Sequence, residues 1–169
     1  AKQQISKKYP IIKASLGIYP IDALGLGPDE DGMPRHKGPI DLDKEFELQE
    51  TIKGLIDQRL INAAHDCADG GLFIALMEMA MPNELGFDIV TDSEVREDAF
   101  LFGESQSRVV VGVNEDQEDE FIEYMMNQGV SYTLLGHVTK GKVCVDDDQF
   151  GFVTELKDIY DNALGQRLS

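Results

Sequence analysis

The sequence predicts an α/β (α+β) fold, a mixed β-sheet layered with helices. Three observations carry this reading. Arg108-Val109-Val110-Val111-Gly112-Val113 is a β-branched run with the character of a central strand. Strand-like runs alternate with segments whose apolar residues recur at helical spacing. Two late strand-like segments flank Lys140-Gly141 as a hairpin would, which calls for antiparallel neighbours in the same sheet.

Residues 1–38 are rich in Pro and Gly and read as an extended arm or linker, with Ile11, Ile12 and Leu16 apolar enough to pack on this domain or another. Residues 39–169 read as one domain. Asp41 or Asp43 can cap a helix to about Gln58, with Leu42, Phe46, Leu48, Ile52, Leu55 and Ile56 expected inward. A short strand, Ile61 to His65, then leads through a polar turn into a helix from Gly71 to Met81, closed by Pro82-Asn83. Gly86 to Val90 has strand character, and Glu94 to Phe102 reads as a short helix. After the strand at 108–113, Asn114 is expected to cap an acidic helix with Phe121, Ile122, Met125 and Met126 inward, stopped by Gly129. Tyr132 to Thr139 and Lys142 to Val145 form the expected hairpin. A last strand at Phe150 to Val153 and a helix from Glu155 to Leu168 complete the chain.

The chain has 169 residues, 32 acidic against 15 basic, and a formal charge of −17. Such a balance opposes a sequence-independent grip on nucleic acid or anionic membrane. No apolar run approaches the roughly 20 residues needed to span a bilayer, and no secretory signal is visible. Cys67 and Cys144 show no metal-ligand spacing and read as buried, reduced thiols. The opening at Ala1 in unpatterned polar text suggests a piece of a longer chain.

Polar chemistry concentrates in two turns, His65-Asp66-Cys67-Ala68-Asp69-Gly70-Gly71 and Gly103-Glu104-Ser105-Gln106-Ser107-Arg108. Each adjoins a predicted strand, and neighbouring strands would bring the turns to one rim. Asp66, Asp69 and Glu104 would then offer hard oxygen ligands to Mg²⁺, while Ser105, Gln106 and the Gly70 and Gly71 amides could bond phosphate or substrate. The plainer alternative is that Asp69 caps a helix, the glycines permit a tight turn, and Glu104 and Arg108 sit in structural ion pairs. Gly70-Gly71 completes neither a dinucleotide-binding nor a P-loop signature.

The segments AAHDCADGGLFIALMEMAM, LFGESQSRVVVGV and LLGHVTKGKVCV, in that order, closely resemble the C-terminal domain of formylglycinamidine ribonucleotide synthetase, the PurL family of purine biosynthesis. The same domain type recurs in aminoimidazole ribonucleotide synthetase and its ATP-using relatives. The resemblance runs from about Asp41 to Leu168, and departs at Ala68, where relatives often carry Ser. It implies an aminoimidazole ribonucleotide synthetase C-terminal-domain-like fold. It also implies part of a cytoplasmic ligase that uses ATP to activate an amide oxygen, which ammonia from glutamine then displaces. By internal analogy within that family, Asp66 matches a Mg²⁺-binding position and Glu104-Ser105-Gln106 a substrate-binding triplet, with Asp69, Gly70 and Gly71 beside them. No catalytic residue is assigned to this chain, and His65 is expected to make a local hydrogen bond. The ending DIYDNALGQRLS looks like the last domain of the second half of a large member, so these residues are expected to line an auxiliary ATP/ADP cleft and to be inactive alone. The implied partners are the remaining domains of the parent synthetase and a glutaminase. Two alternatives stand beside this reading: a domain of another ATP-dependent relative, and a non-catalytic assembly module.

Overall fold

A computed structural model describes residues 11–16, 42–91, 96–105 and 107–168. The strands are β1 (Ile11–Leu16), β2 (Ala63–Asp66), β3 (Gly86–Ile89), β4 (Arg108–Val113), β5 (Thr133–Thr139), β6 (Lys142–Val145) and β7 (Asp148–Phe152). The helices are α1 (Leu42–Asp57), α2 (Gly71–Ala80), α3 (Glu97–Phe102), α4 (Glu118–Gln128) and α5 (Val153–Leu168). Among the described residues, seven strands join one sheet in the order β2-β4-β1-β5-β3-β6-β7. The sheet is mixed: β3 and β6 run parallel, and every other neighbouring pair is antiparallel.

Both faces of this sheet are covered, which is why β4 reads as an unbroken apolar run. Val110 belongs to the larger core, with Leu72 and Leu76 of α2, Phe100 and Leu101 of α3, and Val153 of α5. Val111 and Val113 point the other way and pack with Leu55 of α1 and with Phe121 and Met125 of α4. Alternation along one strand therefore feeds two cores.

Part of the expected arm is a member of the sheet. β1 lies between β4 and β5 and pairs antiparallel with both, Ile12 standing opposite Gly112 and Gly136. The boundary expected at residues 38 and 39 lies outside the described residues.

Several details differ from the sequence reading. β5 and β6 do not form a hairpin, because β3 is inserted between them. The Lys140-Gly141 link crosses the end of β3, and a Cβ on Gly86 would fall 2.1 Å from the Lys142 carbonyl oxygen. Only glycine lets the crossing sit that close. The hairpin of this region instead joins β6 to β7 through Asp146 and Asp147, at φ 48° and 71°. Those angles suit a two-residue turn with both residues left-handed. The Asp146 carboxylate also accepts the Thr91 backbone N–H at 2.7 Å.

Helix faces were read too generously. On α1 only Leu48, Thr51 and Leu55 are buried, whereas Leu42, Phe46 and Ile56 are exposed. Met126 of α4 and Phe102 of α3 are exposed too. Each lies on the outer side of a helix whose sheet-facing stripe is narrower than the full set of its apolar positions. Asn114 makes no side-chain cap. It accepts from Asn62 at 2.8 Å and donates to Gln117 at 3.1 Å, and a short 3₁₀ turn, Glu115–Gln117, precedes α4.

Candidate functional site

The two polar turns meet because β2 and β4 are antiparallel neighbours, with Asp66 paired to Val109. The strand that ends in the first turn thus lies beside the strand that begins after the second. Pairing continues one step beyond the strand, the Cys67 N–H donating to the Arg108 carbonyl at 2.9 Å. The turns then bond directly: the Gly70 N–H donates to Glu104 Oε1 at 2.9 Å. Gly70 occupies the N-cap position of α2 at φ 80°, so the Glu104 carboxylate caps that helix from a distant loop. A carboxylate there is favoured by the unpaired N–H groups and by the positive end of the helix dipole.

Gly71 makes the approach possible. A Cβ at this position would stand 2.7 Å from the Phe102 carbonyl carbon and 2.9 Å from the Leu101 carbonyl oxygen, and the residue sits at φ 69°. Its own N–H donates to the Ala68 carbonyl at 3.1 Å. Both glycine N–H groups expected to meet a phosphate are therefore used within the chain.

Arg108 holds the second turn from beneath. It is buried, and its guanidinium donates to the Gly103 carbonyl from Nη1 and to the Phe100 carbonyl from Nη2, both at 2.9 Å. The charge caps the C-terminal end of α3, where carbonyls lack helical partners. Burial pulls the guanidinium below its usual range, with the nearby Cys67 acting in the opposite sense. Among the described residues neither Arg108 nor Glu104 is in the expected ion pair, and each has a backbone partner instead.

Asp66 ends β2, exposed, in the wall of a groove of about 410 Å³ that also includes Glu45 and Lys53 of α1. Asp69 is exposed in the first turn. The Ser105 hydroxyl oxygen is buried and has no hydrogen-bond partner among the described residues. Gln106 lies outside the described residues. Among the described residues no three His, Cys, Asp or Glu side chains are gathered as a ready metal site. Asp66 and Asp69 are thus not part of a closed carboxylate cage among the described residues.

Some of the rim was not visible in the sequence. Ser107 donates to Glu45 Oε2 at 2.6 Å, tying the second turn to α1, yet Glu45 reads only as one of several charges on an outer face. His65 Nδ1 lies 2.7 Å from the Asp66 carbonyl oxygen, a local bond as expected, and its Nε2 lies 3.1 Å from Glu78 Oε2. Glu78 also accepts the Tyr160 hydroxyl at 2.9 Å, which links α5 to this edge.

Among the described residues, a seven-stranded mixed sheet with helices on both faces, carrying two acidic, glycine-containing turns at one rim, defines a mixed α/β domain. The family described as AIR synthase related protein, C-terminal domain, matches residues 22–147, and the chain belongs to that family. A curated relative, phosphoribosylformylglycinamidine synthase subunit PurL of Synechocystis sp., is 39% identical over 120 residues, covering 69% of this chain and 16% of the relative. The chain thus spans about a sixth of that relative's length. Among solved structures, T. maritima PurL complexed with FGAR matches at a TM-score of 0.65 and 16% identity, over 88% of this chain and 27% of that one. T. maritima PurL complexed with ATP matches at 0.62 and 17%, over 88% and 25%. At those identities the likeness to the solved structures is one of fold.

Proposed function

We propose that the chain is the C-terminal domain of a phosphoribosylformylglycinamidine synthase, that it forms one wall of an auxiliary ATP/ADP cleft, and that it is inactive alone. The observation that carries this reading is the Gly70 to Glu104 hydrogen bond, which makes a single rim of two turns 34 residues apart, with the unpartnered Ser105 hydroxyl beside it. In this reading 39–169 is the domain, and 1–38 is an arm that lends it a strand.

Asp66 is the Mg²⁺ contact, assisted by Asp69, and Ser105 and Gln106 offer side-chain hydrogen bonds to nucleotide or substrate. Gly70 and Gly71 contribute by what they lack, since no Cβ keeps the second turn and α2 from closing on the first turn, which holds the rim in shape for a ligand. Glu104 fixes the rim through one carboxylate oxygen and leaves the other for a ligand. In the catalytic cleft of the complete synthetase ATP would supply a phosphoryl group to activate an amide oxygen, whereas in the auxiliary cleft these residues would hold a nucleotide whose charge Mg²⁺ offsets. A chain of charge −17 repels a triphosphate, so the balancing cations belong to the remaining domains of the synthetase. A glutaminase partner supplies ammonia, and the assembly is cytoplasmic.

The test is nucleotide binding. The chain alone forms no amidine and binds ATP no more tightly than the millimolar range. In the complete polypeptide, Asp66→Asn and Ser105→Ala each weaken binding of Mg²⁺-ATP by about tenfold, the loss of one charge-assisted contact. Turnover by the pure chain, or unchanged binding in both variants, refutes the reading.

A further inference from the structure

α1 carries apolar residues on two faces, and among the described residues the domain covers only one of them. Leu48 and Leu55 are buried on the inner face, while Leu42, Phe46 and Ile56 are 73%, 65% and 54% exposed. Exposed apolar residues scattered singly need no explanation. These are not scattered: Leu42, Phe46, Gln49, Lys53 and Ile56 follow one another at alternating steps of four and three residues, which sets them in a single stripe along the helix. Beside the stripe, the groove of about 410 Å³ runs between α1 and the sheet and reaches Asp66 and Val109. Its lining carries the carboxylates of Glu45, Asp57 and Asp66 against the one ammonium of Lys53. Among the described residues β2 is also an edge strand of the sheet.

We propose that this stripe and groove are the seat of a neighbouring domain of the complete synthetase polypeptide, one that presents an apolar centre within a basic rim. The inference rests on the proposed function and adds where and by what chemistry the missing domain docks. The charges select the occupant. A second copy would set an acidic rim against an acidic rim, on two chains of charge −17 each, whereas a basic rim complements both the carboxylates and the chain as a whole. Docking here would also close the groove over Asp66, raising the strength of any charge contact made there by excluding water.

The test compares amide hydrogen exchange across Leu42–Asp57 in this chain alone and in the complete polypeptide. Exchange in the complete polypeptide is expected to be at least about tenfold slower, and Phe46→Glu and Ile56→Glu there remove the difference. Both variants leave the helix content of the isolated chain unchanged, because both side chains already face solvent. Equal exchange in the two forms overturns the proposal. So does sedimentation of the isolated chain as a dimer that Phe46→Glu dissolves, since that gives the face to a second copy. Mg²⁺-ATP binding by Asp66→Asn reads the cleft separately. Protection of α1 with unchanged nucleotide binding sinks the cleft reading alone, and weakened binding without protection sinks the docking alone.

Discussion

The Gly70 backbone N–H donates to the Glu104 carboxylate at 2.9 Å, across 34 residues of chain, and this bond makes the two polar turns one structure. It places a negative charge on the first turn of α2, where the helix dipole favours it. Glu104→Gln keeps an acceptor and loses the charge; Glu104→Ala loses both. The expected order of stability is wild type above Gln above Ala, with Ala lower by about 0.5–1.5 kcal/mol because the pair is exposed. Urea midpoints of the three proteins give that order, and a Gln variant less stable than Ala contradicts it.

Gly71→Ala is expected to be far more damaging than its size suggests. The new Cβ meets the Leu101 and Phe102 backbone at 2.7–2.9 Å, and the residue is already at φ 69°. Left-handed strain costs an L-residue roughly 1–2 kcal/mol, and the backbone contact adds to it, because Phe102 cannot swing away as a side chain could. Gly165→Ala, in α5, supplies the opposite sign: nothing lies within 4 Å of its Cβ, so helix propensity stabilises that variant by about 0.5–1 kcal/mol. Thermal unfolding of the two variants tests both signs.

The strands and helices were legible wherever a local pattern was also the global one. Val110 to Val113 look buried on both sides and are, because both faces of the sheet are covered. That the two turns share a rim was also readable, since each adjoins a strand and the strands proved to be neighbours. What failed within the sheet has one cause: pairing partners are chosen by the whole sheet. Lys140-Gly141 has the chemistry of a hairpin turn, yet β3 comes between its strands, and the only sequence trace of this is a glycine at 86. Asp146-Asp147 is the true turn, hidden in an acidic run that reads equally well as a solvated loop. The stripe of Leu42, Phe46 and Ile56 has the spacing of a core face, and periodicity does not say which partner a face is meant for. The carbonyl partners of Arg108 were invisible, since a sequence shows carboxylates and does not show which backbone groups a turn leaves open.

Arg108 fastens the second turn through the carbonyls of Phe100 and Gly103. Arg108→Lys keeps the charge but cannot reproduce the planar fork, so one carbonyl loses its partner. Arg108→Met strands both. We expect losses of roughly 1–3 kcal/mol for Lys and more for Met. Because Gly103 is next to Glu104, the Lys variant should also show faster exchange of the Gly70 amide than wild type at equal global stability. Unchanged exchange at Gly70 would separate Arg108 from the rim.

Cys67 gives the pH-dependent prediction. Burial, the largest influence, drives its thiol from 9.0 to about 11; Arg108 acts downward and Asp66 upward. The native state thus favours the neutral thiol more than the unfolded state does. A group whose native value is raised contributes stability that is whole below the unfolded value and is lost as pH climbs through the native one, which sets the window between about pH 9 and pH 11. A shift of that size corresponds to roughly 2–3 kcal/mol at the top of the window. Lys and Tyr residues titrate there too, so the quantity to follow is the difference between wild type and Cys67→Ala. That difference should be flat from neutral pH to about 9 and then narrow, because the variant has no thiol to ionise. In the native chain at pH 8, a thiol reagent should modify Cys67 slowly, and unfolding in urea should release it. Rapid labelling of native Cys67 at that pH would show that the thiol is neither buried nor held neutral, and would remove the basis for the alkaline loss of stability.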